Sequence, residues 1–375
     1  MKIAFTGGGT LGHIYPSLAL YDYIIDRDKS FEFIWIGRNN KNEMQIIESQ
    51  NIQFFAITCG KLRRYFSLKN IFDVFKVIVG FFQALKILKQ TKPDLIFSKG
   101  GYVSVPVVYA AHKLKIKIIT HESDITLGLA SRLNSRVATT IFKGFALNED
   151  ERADKRFIYS ANPLKTDLQF FKNIDLENYE KKLANSEVAQ YSGKVKTVRD
   201  NIQEKFDKSK KIILIVGGSL GAMQINDLIA VNLDELVKDY NIYHQMGERT
   251  FISRNIRGYI GVKQIGHELG YLYKIADLVV SRCGANTLNE EILFNKNILA
   301  IPLDNSKSRG EQVLNAQYYK DLKLLEVYEK NMNFIDTITN LLNNETIEKR
   351  KLEFQKLSYI DTNDIIYKNI NEILN

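Results

Sequence analysis

A glycine-rich turn that follows a wholly apolar run occurs twice in this chain, and that repetition limits its fold more than any other feature. Near the N-terminus Ile3-Ala4-Phe5-Thr6 empties into Gly7-Gly8-Gly9-Thr10-Leu11-Gly12-His13. Far downstream Ile212-Ile213-Leu214-Ile215-Val216 empties into Gly217-Gly218-Ser219-Leu220-Gly221. Each run reads as a strand buried on both faces, and an amphipathic helix pattern follows each. A strand-to-helix turn of small residues brings backbone N–H groups close to an anion at the positive end of a helix dipole. Two such turns predict two nucleotide-fold domains facing each other across a cleft.

The rest of the chain supports that division. A length of 375 residues suits two domains, each burying its own core. Strands are predicted at 2–6, 31–36, 52–57, 94–98, 116–120 and 137–142, with helices at 14–26, 40–50, 69–90, 103–113 and 126–134. The second half repeats the alternation: strands near 211–216, 241–245, 258–265, 277–281, 297–301 and 324–329, helices near 222–238, 268–275, 284–294 and 309–320. This is the pattern of doubly wound parallel sheets. Residues 172–210 are polar, and read as an inserted helical or mobile excursion; 345–375 reads as two helices, the last with an apolar face. The domains are placed at 1–163 and 164–354.

Composition narrows the function classes. The formal charge of +9 suits nucleic acid, an anionic membrane or phosphorylated substrates. No helix-turn-helix, zinc-finger or RNP-type signature is present, so nucleic acid is not expected. Cys59 and Cys283 stand far apart, which gives neither a disulfide framework nor a zinc site and fits a reducing cytoplasm. No signal peptide is read at the N-terminus, where the first strand begins at once. There is no P-loop, nucleophile elbow or H-E-x-x-H, and Asp26-Arg27-Asp28 falls at a helix end and reads as surface.

Residues 71–82, Ile-Phe-Asp-Val-Phe-Lys-Val-Ile-Val-Gly-Phe-Phe, admit two readings. The longest uncharged run, 77–85, is too short to span a bilayer, which needs about 20 apolar residues. A core helix is one reading. The other is an interfacial anchor on anionic lipid, since Lys61, Arg63, Arg64 and Lys69 precede the segment and Lys86 and Lys89 follow it.

Gly7, Gly9 and Gly12 match G-x-G-x-x-G, but no acidic residue tips the second strand, which ends Trp35-Ile36-Gly37-Arg38. That argues against an NAD site and leaves only Arg38 in favour of NADP. Further polar turns follow other strands: Ser98-Lys99-Gly100-Gly101-Tyr102-Val103-Ser104, Thr120-His121-Glu122-Ser123-Asp124 and Ser281-Arg282-Cys283-Gly284-Ala285-Asn286-Thr287-Leu288-Asn289-Glu290. Pro302-Leu303-Asp304 leads into Gly310-Glu311-Gln312. In parallel sheets such turns gather at the ligand crevice.

Taken together, 6–16 with its Gly7-Gly8-Gly9-Thr10-Leu11-Gly12-His13 core, 99–106, His121-Glu122-Ser123-Asp124 with Gly128-Leu129-Ala130, Asn162-Pro163, 217–222, 281–285 with Glu290, and Gln312 with Asn315-Ala316 resemble, in order, the MurG family of bacterial cell-wall glycosyltransferases, family 28. The resemblance implies an α/β GT-B fold, two Rossmann-like domains with parallel sheets across a cleft, whose C-terminal helix, about 355–375, packs back on the first domain. It implies an inverting hexosyltransferase, without metal or other cofactor, that moves N-acetylglucosamine from UDP-N-acetylglucosamine to the muramyl C4 hydroxyl of lipid I, forming lipid II. The enzyme would sit peripherally on the cytoplasmic face of the bacterial cell membrane.

By the same resemblance Ser219 and its loop meet the diphosphate, Gly266 meets uracil, and Ala285, Asn286, Thr287, Leu288, Asn289 and Glu290 line the nucleotide, with Glu290 on the ribose. Gln312 holds the sugar, and Lys165 belongs to the substrate site. Thr10, Leu11, Gly12 and Asp124 face donor sugar and acceptor. His13 is the first candidate for the general base and Asp124 the second. The family commonly has Asn at Asp124, Arg at Lys165 and Gly at Leu11. Three alternatives stay open on sequence: a related GT-B enzyme acting on another membrane lipid such as diacylglycerol, an NAD(P) oxidoreductase, and a non-catalytic sugar-nucleotide subunit.

Overall fold

A computed structural model describes residues 1–61, 68–185, 191–218, 221–303, 310–358 and 360–374, with backbone alone for 68–71. The chain divides into two compact units, Met1–Thr166 with Ile360–Asn375, and Asp167–Tyr359.

The first unit is built on strands β1 Lys2–Thr6, β2 Glu32–Arg38, β3 Gln53–Ile57, β4 Leu95–Ser98, β5 Lys117–Glu122, β6 Thr140–Lys143 and β7 Phe157–Tyr159. They form one sheet in the order β3-β2-β1-β4-β5-β6-β7, and every pair is parallel. Both faces are covered, so the strands are continuously apolar. Ile3, Phe5, Trp35 and Phe97 pack with Ile14, Leu18 and Ile24 on one face, and Ala4, Ile34, Ile36 and Ile96 pack with Ala84, Leu88 and Val107 on the other. Thr6 lies opposite Ser98 and Ser98 opposite Thr120, so the turns after β1, β4 and β5 leave the sheet at one level. Strand order reverses between β1 and β4, where the crevice of such a sheet opens.

The helix Thr362–Leu374 belongs to this unit. Ile366 and Ile370 are fully buried among Ile14, Leu18 and Phe31, each burial contributing about 1.5–3 kcal/mol. Polar ties fix its start: Thr362 Oγ1 donates to Ser160 O at 2.5 Å, Asn363 Nδ2 to Leu164 O at 2.9 Å, and Tyr23 OH to Asp364 Oδ1 at 3.2 Å.

The helix Leu68–Thr91 combines core residues with an exposed apolar surface. Ala84 and Leu88 are core, whereas Phe72, Phe75 and Phe82 are 69%, 63% and 60% exposed. Val74, Ile78 and Val79 are exposed as well. Among the described residues no helix is long and apolar enough to cross a membrane. Lys61, Lys76, Lys86 and Lys89 are exposed around this surface; Arg63 and Arg64, and the side chain of Lys69, lie outside the described residues.

The second unit holds β8 Lys211–Val216, β9 Tyr240–Gln245, β10 Tyr259–Val262, β11 Leu278–Ser281, β12 Ile298–Ala300 and β13 Glu326–Val327. Their order is β10-β9-β8-β11-β12-β13, again all parallel. Ile213, Ile215, Leu278 and Val280 pack against Ile225, Ile229 and Leu233 of the helix Met223–Asp239. The polar segment before β8 is helical, with helices Thr166–Asn173, Leu176–Ala184 and Ser192–Lys205. Its sparse apolar residues do the packing: Phe171, Tyr179, Leu183, Val195 and Val198 are buried. Gly270 takes Phe171 so closely that a Cβ there would stand 2.6 Å from the ring. Tyr271 OH donates to Glu180 Oε1 at 2.9 Å, tying the segment to the helix Leu269–Ile275.

Several bounds differ from the sequence expectation. The helix expected from 126 starts at Leu129, because the Glu122 carboxylate captures the amides of Asp124 and Gly128 and holds the intervening residues as a loop. The strand expected at 258–265 ends at Val262, and that at 324–329 shrinks to two edge residues. The short helix Glu149–Ala153 and β7 carry too few residues for periodicity to reveal them.

Candidate active site

The first glycine turn is braced from beneath. Gly8 and Gly9 have φ of 141° and 91°, and a Cβ on Gly9 would stand 2.7 Å from the Tyr102 ring. The Gly9 N–H donates to Glu43 Oε1 at 3.3 Å. That same oxygen takes Arg38 Nε at 2.8 Å and Nη2 at 2.7 Å, while Arg38 Nη1 donates to Tyr102 OH at 3.2 Å. The guanidinium that left an opening for NADP is thus committed to holding the turn. Thr10 and Gly12 are exposed, and Leu11 and His13 half-buried, in the 3-10 turn Leu11–His13. His13 Nδ1–H donates to the Lys99 carbonyl at 3.1 Å. A neutral imidazole in that tautomer carries its lone pair on Nε2. Gly101 leaves room for the ring, since a Cβ there would stand 3.3 Å from His13 Nε2.

Lys99 is the hub of this rim. Its side chain is 1% exposed, and its ammonium has three donors facing three acceptors. Nζ lies 2.7 Å from His121 Nδ1, 2.5 Å from Ser123 Oγ and 3.4 Å from Asn162 Oδ1. His121 Nε2–H donates to the Ala161 carbonyl at 2.9 Å, which leaves Nδ1 to accept from Lys99. Burial pulls the Lys99 pKa down to about 7, opposed by the charges of Glu122 and Asp124. Burial, then the Lys99 charge, holds His121 well below the usual imidazole range. Lys143, also buried, pairs with Glu151 at 3.2 Å and donates to Ile125 O at 2.9 Å, gripping the same loop from β6. Asp124 is half-buried on that loop. Lys165, half-buried, sets its ammonium 4.7 Å from the centroid of the Tyr15 ring. Sequence reasoning saw Lys99 only as part of a turn; nothing in a single sequence marks a lysine as buried.

In the second unit Gly218 and Gly221 have φ of 80° and 83°, and Gly221 N–H closes the turn on Gly218 O at 3.0 Å. Ser219 lies outside the described residues. Behind the turn His244 Nε2–H donates to Asn226 Oδ1 at 3.0 Å, and its Nδ1 accepts from Tyr259 OH at 3.1 Å. Asn226 Nδ2 in turn donates to Met246 O at 2.9 Å. Burial takes the His244 pKa down to about 4, so the network stays neutral.

The other expected nucleotide residues sit on three further loops of this unit. Gly266, half-buried, follows β10; a Cβ on it would stand 3.1 Å from Glu268 Oε2 and 3.3 Å from Lys194 Nζ. Next to it His267 Nδ1 meets Asp167 Oδ2 at 2.7 Å and stacks on Tyr191. After β11, Cys283 takes φ 64°, rare for a side-chain-bearing residue, and Gly284 opens the helix Ala285–Leu293. Ala285, Leu288 and Asn289 are buried; Asn286, Thr287 and Glu290 are half-exposed. Tyr273 OH lies 3.5 Å from Glu290 Oε2. Gln312, in the first turn of the helix Glu311–Asp321, accepts the Leu303 N–H at 2.9 Å through Oε1, which directs its amide nitrogen elsewhere as donor.

Two Rossmann-like units, each with a glycine turn at the carboxyl edge of a parallel sheet, make up a GT-B fold, the fold of a large class of glycosyltransferases. Comparison with known proteins agrees. Residues 3–143 match the glycosyltransferase family 28 N-terminal domain, and residues 212–362 the glycosyltransferase family 28 C-terminal domain. A Clostridium botulinum protein (strain Alaska E43 / Type E3) is 40% identical over 351 residues, covering 92% of this chain and 89% of its own. A Staphylococcus carnosus protein is 39% identical over 391 residues, covering 99% and 98%. Both are named UDP-N-acetylglucosamine--N-acetylmuramyl-(pentapeptide) pyrophosphoryl-undecaprenol N-acetylglucosamine transferase. The crystal structure of Acinetobacter baumannii MurG superposes with a TM-score of 0.71 at 21% identity over 99% of both chains, a likeness of fold. The chain belongs to glycosyltransferase family 28.

Proposed function

We propose that this enzyme transfers N-acetylglucosamine from UDP-N-acetylglucosamine to the muramyl C4 hydroxyl of lipid I, releasing UDP and forming lipid II, at the cytoplasmic face of the bacterial membrane. The observation that carries the reading is near-40% identity, along almost the whole chain, to transferases named for these substrates.

The proposed mechanism gives each unit a part. The acceptor hydroxyl attacks the anomeric carbon from the face opposite UDP, inverting it. His13 Nε2 takes the hydroxyl proton, with Nδ1–H held by the Lys99 carbonyl at 3.1 Å. Asp124 accepts a sugar hydroxyl. Negative charge growing on the diphosphate meets N–H groups of the Gly217–Gly221 turn, with Ser219, and of the Gly284 turn, both at helix N-termini. Lys165 adds a cation. The backbone of Gly266 reads uracil, Glu290 holds the ribose, and the Gln312 amide holds the sugar. Ala285, Leu288 and Asn289, being buried, act through backbone and packing.

The exposed face of Phe72, Phe75 and Phe82, with Lys76 and Lys86 beside it, docks on anionic lipid, where the acceptor is anchored. Phe81 is half-buried against the core and is not part of that face. The test is UDP release from UDP-N-acetylglucosamine with and without a lipid I analogue, beside UDP-glucose with diacylglycerol. Release that depends on lipid I supports the reading; release with diacylglycerol, or none with lipid I, refutes it.

A further inference from the structure

We infer that Asp167 and His267 are positioning residues for base recognition: their pair fixes the loop at Gly266, so that selectivity for uridine depends on the polar segment before β8 as well as on the loop itself. The inference deepens the reading above and rests on the uracil contact given there to Gly266. Its ground is geometric. Asp167 stands in the first turn of the helix Thr166–Asn173 and is buried. Both of its carboxylate oxygens are engaged: Oδ1 accepts the Leu168 N–H at 2.8 Å, and Oδ2 takes His267 Nδ1 at 2.7 Å. The histidine is the outer partner, with its side chain 67% exposed against 6% for Asp167. A buried acceptor on a helix thus restrains a side chain that exposure alone would leave several rotamers.

Further contacts lay the same loop on the same segment. The His267 ring stacks on Tyr191, with centroids 5.6 Å apart and planes 23° from parallel. Tyr191 holds a left-handed φ of 61°, strained for a residue with a side chain, and packs edge-on against Phe170 at 5.4 Å. Beyond the histidine, Gly270 receives Phe171 and Tyr271 donates to Glu180. Between these anchors the Leu269 N–H closes a turn on the Gly266 carbonyl at 3.2 Å. The backbone given the base is therefore one residue from the pair and part of a turn held on both sides. Uracil offers a donor at N3–H and an acceptor at O4, whereas cytosine offers the reverse at both positions. A backbone N–H and C=O tell them apart only when held within about 0.5 Å of the right place.

Calorimetry with UDP and with CDP tests this, since the two share ribose and diphosphate and differ only at the base edge. Wild type should prefer UDP. His267→Phe keeps a ring for Tyr191 but has no N–H for Asp167; it should weaken UDP about 10-fold and CDP less than about twofold. His267→Asn, whose amide N–H takes the place of Nδ1–H, should recover UDP affinity to within about 3-fold of wild type. Asp167→Asn should cost less in the His267→Phe background than in the wild-type one. Parallel losses of UDP and CDP, unchanged UDP affinity in His267→Phe, or equal factors for Asp167→Asn in both backgrounds overturn the inference. The ratio of the two affinities is taken within one protein, so a variant that folds only in part still decides the matter. A wild type that binds UDP and CDP alike removes the uracil contact from Gly266, and the inference with it. A wild type that prefers UDP, beside a His267→Phe that keeps the preference, refutes the pair alone.

Discussion

Gly218 and Gly221 offer a matched pair for testing the second turn. Both sit at left-handed φ, 80° and 83°, so a Cβ at either costs about 1–2 kcal/mol of backbone strain. They differ in what the methyl meets. At Gly218 there is open space, whereas at Gly221 it falls onto the Met246 carbonyl oxygen and within 2.5 Å of Thr250 Oγ1. That carbonyl cannot easily retreat, since it accepts from Asn226 Nδ2 and Thr250 Oγ1 while the Met246 N–H is held by Val262 O at 2.9 Å. Overpacking adds about 1–3 kcal/mol. Gly218→Ala should therefore lower the melting point of the second unit by about 2–8 °C, and Gly221→Ala by up to about 20 °C. Binding should order the variants differently. The open space over Gly218 is where the diphosphate is proposed to lie, so Gly218→Ala should weaken UDP at least about tenfold by calorimetry, out of proportion to its small thermal effect. Equal melting shifts for the two variants would refute the packing argument, and undiminished UDP affinity in Gly218→Ala would remove the diphosphate from the turn.

His13→Gln should lower kcat by about 10²–10⁴-fold with UDP affinity unchanged; near-normal turnover would show that another group takes the proton. His244 goes from an ordinary value of 6.5 to about 4 on folding, so the unfolded chain binds the extra proton between those limits. The stability is fully present above 6.5 and is lost as pH falls toward 4, by about 2 kcal/mol at pH 5. Urea unfolding of His244→Gln should show a flatter pH dependence than wild type over this window, and an identical slope would contradict the assignment. Replacing Phe72, Phe75 and Phe82 by Ser should abolish sedimentation with anionic vesicles while sparing UDP binding; unchanged sedimentation would place the lipid contact elsewhere. Glu291→Gln should change UDP affinity less than about twofold, because burial favours the protonated form of this carboxyl; a tenfold gain in affinity would mean that it is ionised.

All the strands but β7 were readable, most of them as an apolar run closed by a turn, and the parallel architecture follows from their alternation with helices. The turn residues could be singled out for the same reason: glycine and small polar residues after a strand have a limited set of uses. What could not be read depends on tertiary burial. Lys99, Lys143 and Glu291 look like ordinary surface charges in sequence, yet all three are fully enclosed. Arg38 looked available to a cofactor until Glu43, five residues on, proved to hold it. The helix Leu68–Thr91 was ambiguous because one apolar stretch serves two surroundings: Ala84 and Leu88 face the core while Phe72 and Phe75 do not. Residues 172–210 read as helical or mobile by composition, and a few anchors, Tyr179, Leu183, Val195 and Val198, pack the helices Leu176–Ala184 and Ser192–Lys205.

Different buried ionisable groups back the turns of the two units, and the difference suits the ligands proposed for them. Behind the rim of the first unit Lys143 pairs with Glu151 and Arg38 with Glu43, and Lys99 lies among three acceptors. Such pairs cost desolvation and return rigidity, as an acceptor site built from several loops requires. Behind the Gly218 and Gly284 turns of the second unit lie the enclosed His244 and Glu291. Burial takes the His244 pKa down to about 4 and raises that of Glu291 well above the ordinary carboxyl range, while the Ser281 hydroxyl donates to Glu291 Oε2 at 3.0 Å and opposes that rise. An ionised Glu291 there would oppose an incoming anion in a medium of low dielectric. The neutral form, which burial favours, leaves the partial positive charge of the helix N-termini uncancelled, which is the condition for backbone amides to hold a diphosphate.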